Sequence, residues 1–368
     1  MNFDLSEEQV LLKDAVTRLL ADHYGFETRR RLVSDPCGWS ADAWRRFAEM
    51  GLQAAAFAEA HGGLDGGPVE TLVIGEALGA ALSAEPYLAS IVMGGAALRL
   101  APAAVLAAEV APKVASGETI LACAIEGERP RAAAVADGWT LRGRAAHVIH
   151  GDCADALVVA ADSEAGPLLL LLDAGAAGLS RRGYRTFDGL RAADLTFSDV
   201  RVEASRALAV GQSAEALIER IAEHAIAYLA AEATGVMAML LDITVEHLKT
   251  RSQFNQPLAK FQALQHRCAE MLVALEQARS MALYAAAMVA ADDALERRKA
   301  FAAVKAVIAN AGRFVGQNAV QLHGGVGVTE EHRVGWGLRR LTMIEMLFGD
   351  ADVQAAKLAD LGGFVAAA

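Results

Sequence analysis

Between Arg251 and Gln262 the sequence reads RSQFNQPLAKFQ, where an alanine-rich helical pattern gives way to one arginine, two aromatics and three glutamines, with Asn255 and Pro257 as breakers. A planar guanidinium grips a pyrophosphate through paired hydrogen bonds. About sixty residues later come Gln321, Gly324, Gly325, Gly327 and Thr329. Closely spaced glycines let backbone N–H groups reach a cofactor. Taken singly, an arginine near a helix end favours the helix dipole, and a glycine after a helix is a C-cap. The glycine cluster is not a dinucleotide fingerprint, which needs a strand before it, because the preceding AVIANAGRFVGQNAVQLH is helical in pattern.

Other reactive side chains are sparse. His150, at a strand end, and His323, at a helix end, read as hydrogen-bonded spacers rather than as a proton relay. Cys37, Cys123, Cys153 and Cys268 are widely separated, without a CxxC or a Cys/His cluster, so no metal site is expected.

The elements that must position these residues change texture twice. From Leu5 to about Gly117 the pattern is helical: Ser6, Glu7 and Glu8 open a segment whose Val10, Leu11, Ala15, Leu19 and Leu20 recur at helical spacing. Glycine pairs at Gly62-Gly63 and Gly66-Gly67, then Pro68, mark a loop between two helices. Near Thr119 short apolar runs such as ALVVAA and PLLLLLDA take over, and from about Glu215 long helices return. The expected fold is mainly α with a central β domain: an N-terminal helical domain (1–118), a middle β-barrel (119–212) and a C-terminal four-helix bundle (213–368).

Composition supports this and excludes other classes. Hydrophobic residues reach 54% but aromatics only 6%, so the apolar mass is alanine, leucine and valine, suited to close-packed helices. A net charge of -11 with no Lys/Arg block argues against nucleic acid as a partner. The most apolar window, near Tyr87 to Ala108, is broken by Arg99, Pro102 and Gly94-Gly95, so no membrane span is expected. The acidic start, MNFDLSEEQ, reads as cytoplasmic rather than secretory.

Arg251, Gln253, Phe254, Pro257, Phe261 and Gln262, with Gln321, Gly324, Gly325, Gly327 and Thr329, resemble the paired signature of the acyl-CoA dehydrogenase family. The resemblance runs along almost the whole chain, through DLSEEQVLLKD and GLQAAAFAEAHGGLDGG, and in detail is similar to the small subunit of pimeloyl-CoA dehydrogenases. It implies FAD as cofactor, an acyl-CoA substrate, α,β-dehydrogenation of the thioester and an oligomer. Arg251, Gln253, Phe254 and Gln262 would hold the FAD of a neighbouring subunit, and Gln321, Gly324 and Gly325 its adenine dinucleotide portion.

The resemblance also exposes what is missing. The family's catalytic glutamate precedes a glycine near the C-terminus, where this chain reads Leu347-Phe348-Gly349-Asp350-Ala351-Asp352-Val353-Gln354. Asp350 is the nearest carboxylate to that slot near Gly349; Glu345 fits less well. The family's alternative slot falls on Ala225, with Glu223 about 200° round the helix. Two segments that face the flavin in the family are replaced by Ile125-Glu126-Gly127-Glu128-Arg129-Pro130 and Val148-Ile149-His150.

Three expectations follow. The chain is the small subunit of a heteromer whose large subunit supplies the glutamate, or a self-sufficient homo-oligomer using Asp350, or a non-catalytic assembly relative that kept the fold.

Overall fold

The computed structural model describes residues 5–364; Met1 to Asp4, which open the acidic N-terminal stretch, lie outside the described residues. The chain forms two compact units, one of residues 5–29, 68–83 and 226–364, the other of residues 30–67 and 84–225.

In the first unit, α1 (Glu7–His23) begins at a capping box in which Ser6 and Gln9 exchange side-chain to backbone hydrogen bonds, while Glu7 and Glu8 fill the first turn. Its buried face carries Val16 and Leu20, while Val10 and Leu11, which share the helical spacing, stay 45% and 66% exposed. Pro68 starts α4 (Pro68–Ala81) after the glycine loop, and α1 is fastened along it by Lys13–Glu76 at 2.9 Å and Gln9–Glu70 at 2.8 Å.

The same unit holds the end of α7 (Gln212–Thr250), together with α8 (Gln262–Val289), α9 (Ala294–His323), α10 (Arg333–Met346) and α11 (Ala351–Asp360). α9 is the hub, touching α8, α10 and α11. Small residues let backbones meet: a Cβ on Gly79 would stand 2.1 Å from the Glu232 carbonyl oxygen, and one on Gly235 1.9 Å from that of Glu76. A buried pair joins α7 to α10, with Arg340 donating to both oxygens of Glu232 at 2.5 and 2.8 Å.

The second unit holds α3 (Ala41–Glu49), most of α2 (Phe26–Ser34), a π-helical segment (Tyr87–Gly94), α5 (Gly95–Leu100), α6 (Ala104–Ala115) and eight strands. The strands are β1 (Leu121–Ala124), β2 (Arg131–Val135), β3 (Gly138–Ile149), β4 (Ala156–Ser163), β5 (Gly166–Asp173), β6 (Leu179–Arg185), β7 (Arg191–Glu203) and β8 (Ala207–Val210). They make one sheet in the order β6-β7-β3-β2-β4-β5-β8, with β1 also paired to β4. Alternate residues such as Leu157, Val159, Leu168, Leu170, Leu195 and Phe197 fill its core. The order of helices, sheet, helices is the one expected from the sequence.

One helix among the described residues is long and apolar enough to cross a membrane, α7 rather than the Tyr87 region, but 78% of its apolar window is buried. That is the burial of a core helix.

Candidate functional site

The run that opened the sequence question folds into a hairpin. α7 ends at Thr250, the Arg251 N–H donates to the His247 carbonyl at 2.8 Å, and β9 (Ser252–Gln253) pairs with β10 (Gln256–Pro257). Leu258 N–H closes it onto the Arg251 carbonyl at 2.8 Å. The two turn residues, Phe254 and Asn255, have φ of 54° and 62°, the pattern of a type I′ turn. Asparagine adopts this region readily; a bulky phenylalanine does so at a cost. Phe254 is nonetheless 84% exposed, edge-on to Phe261 at 6.1 Å.

Arg251, Gln253 and Gln262, the first residue of α8, are all exposed. Among the described residues no carboxylate pairs with Arg251, whereas Arg129, Arg313 and Arg340 are paired with carboxylates and Arg29 lies over the Trp336 ring.

At the end of α9, Gly324 has φ 62° and ψ −142°, a conformation reserved to glycine and different from the left-handed C-cap that the sequence suggests. A short 3-10 turn, Gly324–Val328, follows. A Cβ on Gly324 or Gly325 would meet nothing within 4 Å, so the backbone there is open; one on Gly327 would stand 2.9 Å from the Val320 carbonyl oxygen, a packing role. Gln321 is exposed on the last turn of α9. The two motifs are joined through buried His323: the rings of His247 and His323 stack at 4.4 Å and 26°, and His332 follows at 4.9 Å from His323. Sequence reading considered His323 singly and missed His247 and His332; the one signal available was His247 lying one helical turn before Arg251.

A guanidinium without a carboxylate partner and two glycines with free space over their backbones, on segments joined by the His247–His323 contact, fit a phosphate-bearing cofactor.

The other expected positions are engaged internally. Asp350 is the N-cap of α11, its Oδ1 accepting from Val353 N–H at 2.9 Å. Lys305 donates to the carbonyls of Glu345 and Gly349 at 2.7 and 2.9 Å, and Arg313 is paired with the Glu345 carboxylate. Ala225 is fully buried in α7. It lies 26 residues (251 − 225) before Arg251, about 39 Å along the helix. Beside it Glu223 pairs with Arg220 at 2.8 Å. Burial, then Arg99 and Arg220, push the His224 imidazole down to about 3, too weak a base to draw a proton.

In the second unit, Arg129 grips Glu215 through two hydrogen bonds of 2.9 and 3.4 Å, fixing the Ile125 to Pro130 segment. His150 is buried, has φ 53°, and its Nε2 lies 3.0 Å from the Ala84 carbonyl oxygen. His323 likewise uses Nδ1 on the Ala319 carbonyl oxygen at 2.8 Å.

Residues 6–118 match the family model "Acyl-CoA dehydrogenase, N-terminal domain", and residues 214–361 match "Acyl-CoA dehydrogenase, C-terminal domain". The chain belongs to the acyl-CoA dehydrogenase family. Acyl-CoA dehydrogenase FadE27 of Mycobacterium tuberculosis is 29% identical over 348 residues, covering 90% of this chain and 91% of the relative. Acyl-CoA dehydrogenase IpdE2 of Mycolicibacterium smegmatis is 28% identical over 356 residues, 96% and 98% of the two chains. A chain of the ChsE4-ChsE5 complex from Mycobacterium tuberculosis superposes with a TM-score of 0.93 at 27% identity, over 100% of both chains. A chain of the Tcur3481-Tcur3483 steroid ACAD G363A variant gives 0.88 at 29% identity, over 96% and 97%. Acyl-CoA dehydrogenases are FAD-binding oxidoreductases.

Proposed function

We propose that this chain is the small subunit of a heteromeric acyl-CoA dehydrogenase, presenting Arg251, Gln253, Phe254, Gln262, Gln321, Gly324 and Gly325 to FAD held in a partner subunit, which also supplies the catalytic glutamate. The observation that carries the reading is a contrast: Arg251 is exposed with no carboxylate partner among the described residues, while Asp350 spends its carboxylate on a helix cap. The likeness to a chain of the ChsE4-ChsE5 complex supports a heteromer. The division 1–118, 119–212 and 213–368 belongs to the same proposal, supported by the spans of the two family models.

When bound, FAD supplies the acceptor for the hydride leaving the acyl β-carbon. This chain's residues bind and orient: the guanidinium neutralises phosphate charge, and the open backbone at Gly324 and Gly325 permits close approach. For the acyl group, the likeness to a steroid acyl-CoA dehydrogenase supports a bulky polycyclic thioester over the dicarboxylic one suggested by resemblance to pimeloyl-CoA dehydrogenases.

The test is flavin retention in the co-expressed complex. Arg251→Ala removes a charge-assisted contact of about 1.5–3 kcal/mol, so flavin affinity should fall about ten- to a hundredfold. Unchanged flavin absorbance in that variant refutes the reading. Expressed alone, the chain should not be bleached by saturated acyl-CoA under anaerobic conditions; bleaching would instead establish a self-sufficient enzyme.

A further inference from the structure

His247 on the last turn of α7, His323 at the end of α9 and His332 at the N-cap of α10 bring three helices to one point. Each ring is one step from a segment assigned to the cofactor or to its support. The His247 carbonyl accepts the Arg251 N–H, His323 directly precedes Gly324, and His332 Nδ1 receives the Val334 N–H at 3.4 Å. With His247 stacked on His323 at 4.4 Å and His332 tilted 50° against His323 at 4.9 Å, the rings tie the hairpin to the glycine turn.

We propose that these three histidines are a positioning stack that holds the Arg251 hairpin and the Gly324–Val328 turn in mutual register, and that protonation of the stack releases both segments together. The inference rests on the reading of those segments as cofactor-gripping, but the stack itself can be tested without cofactor.

Charge placement agrees with the geometry. His247 is lowered from 6.5 by burial first, then by His323, His332 and Arg251; His332 by burial, His323 and Arg333. His323 is lowered by burial against the carbonyls of Ala319 and Ile243, which favour the charged ring. The charged side chains acting on the stack are thus Arg251 from the end of α7 and Arg333 from α10, both cationic, with no carboxylate among them. Folded-state values below 6.5 mean that the stack contributes stability above that pH and loses it as pH falls through 6.5 toward the folded values.

Amide hydrogen exchange of the full chain between pH 7.5 and 5.5, corrected for intrinsic rates, tests this directly. Residues 251–262 and 324–329 should lose protection together below about pH 6.5, up to about tenfold per pH unit, while β4 and β5 do not. His323→Phe keeps a ring that cannot titrate and should flatten the response; His247→Phe, at a less buried position, should do the same if the first variant misfolds. Flat protection in the unmodified chain, loosening of the two segments at separate pH values, or a response that persists in both Phe variants overturns the proposal. Concerted loosening with no matching loss of flavin from the complex upholds the stack and refutes the cofactor reading. The absence of loosening, with Arg251→Ala still losing flavin, does the reverse.

Discussion

The Arg251 hairpin with its glycine turn, and the segments where the family places its base and flavin loops, differ in where their polar groups find partners. The first region turns a guanidinium, several amides and open glycine backbone outward, and holds Phe254 in a left-handed conformation with 84% of it exposed. In the second, Asp350 caps a helix, Arg129 is gripped by Glu215, His150 is tied to Ala84, and Ala225 is sealed in α7. Polar groups left open at a backbone cost imply an outside partner, whereas groups satisfied internally have become structure. The contrast is the one expected under the proposal of a subunit that grips the cofactor and leaves the chemistry to another.

The largest effect should come from the buried scaffold of the same unit. Arg340 and Glu232 are 6% and 5% exposed and form a bidentate pair. Glu232→Ala takes the carboxylate away from a buried guanidinium and should destabilise the chain by about 3–5 kcal/mol, read from the urea midpoint at constant slope. A shift of less than about 1 kcal/mol would show that the pair is worth no more than a solvent-exposed one.

A sharper cut separates cap from base at Asp350. Asp350→Ala should lower stability by about 1 kcal/mol through loss of the N-cap, while Asp350→Asn keeps an acceptor for Val353 N–H and should leave both stability and turnover of the assembled complex unchanged. Turnover abolished by Asp350→Asn alone would return the chain to the self-sufficient class.

The helix, sheet, helix order was legible because hydrophobic period and residue type change together near Thr119 and Glu215. The helix α1 was legible but not its buried face: Val10 and Leu11 satisfy the helical period yet point outward, and periodicity cannot say which of two apolar stripes finds a neighbour. Of the candidate site, the residue list was readable but its geometry was not. A two-residue hairpin advertises itself through Asn-Gly or Asp-Gly, and Phe254-Asn255 carries half of that signal. The histidine stack leaves no local trace, since its members come from three helices and meet through tertiary packing alone. Asp350 was readable in retrospect, an aspartate just ahead of a helical run being an N-cap before it is a base.

The smallest effect is also the most discriminating. If Phe254 holds its left-handed φ for an outside partner, replacing it should separate stability from function. Phe254→Asn puts a residue tolerant of φ 54° into the turn and removes an exposed ring that stands edge-on to Phe261 at 6.1 Å. Relief of backbone strain should raise stability by up to about 1 kcal/mol in the isolated chain. The same change should weaken flavin retention or subunit association in the complex, measured side by side with the melting temperature. A variant that gains stability and keeps both flavin and assembly would mean that the strain serves no partner, and the open region would then be no different in kind from the closed one. A variant that loses stability would instead make the edge-on contact with Phe261 the stronger term, and place Phe254 among the groups that are satisfied within the chain.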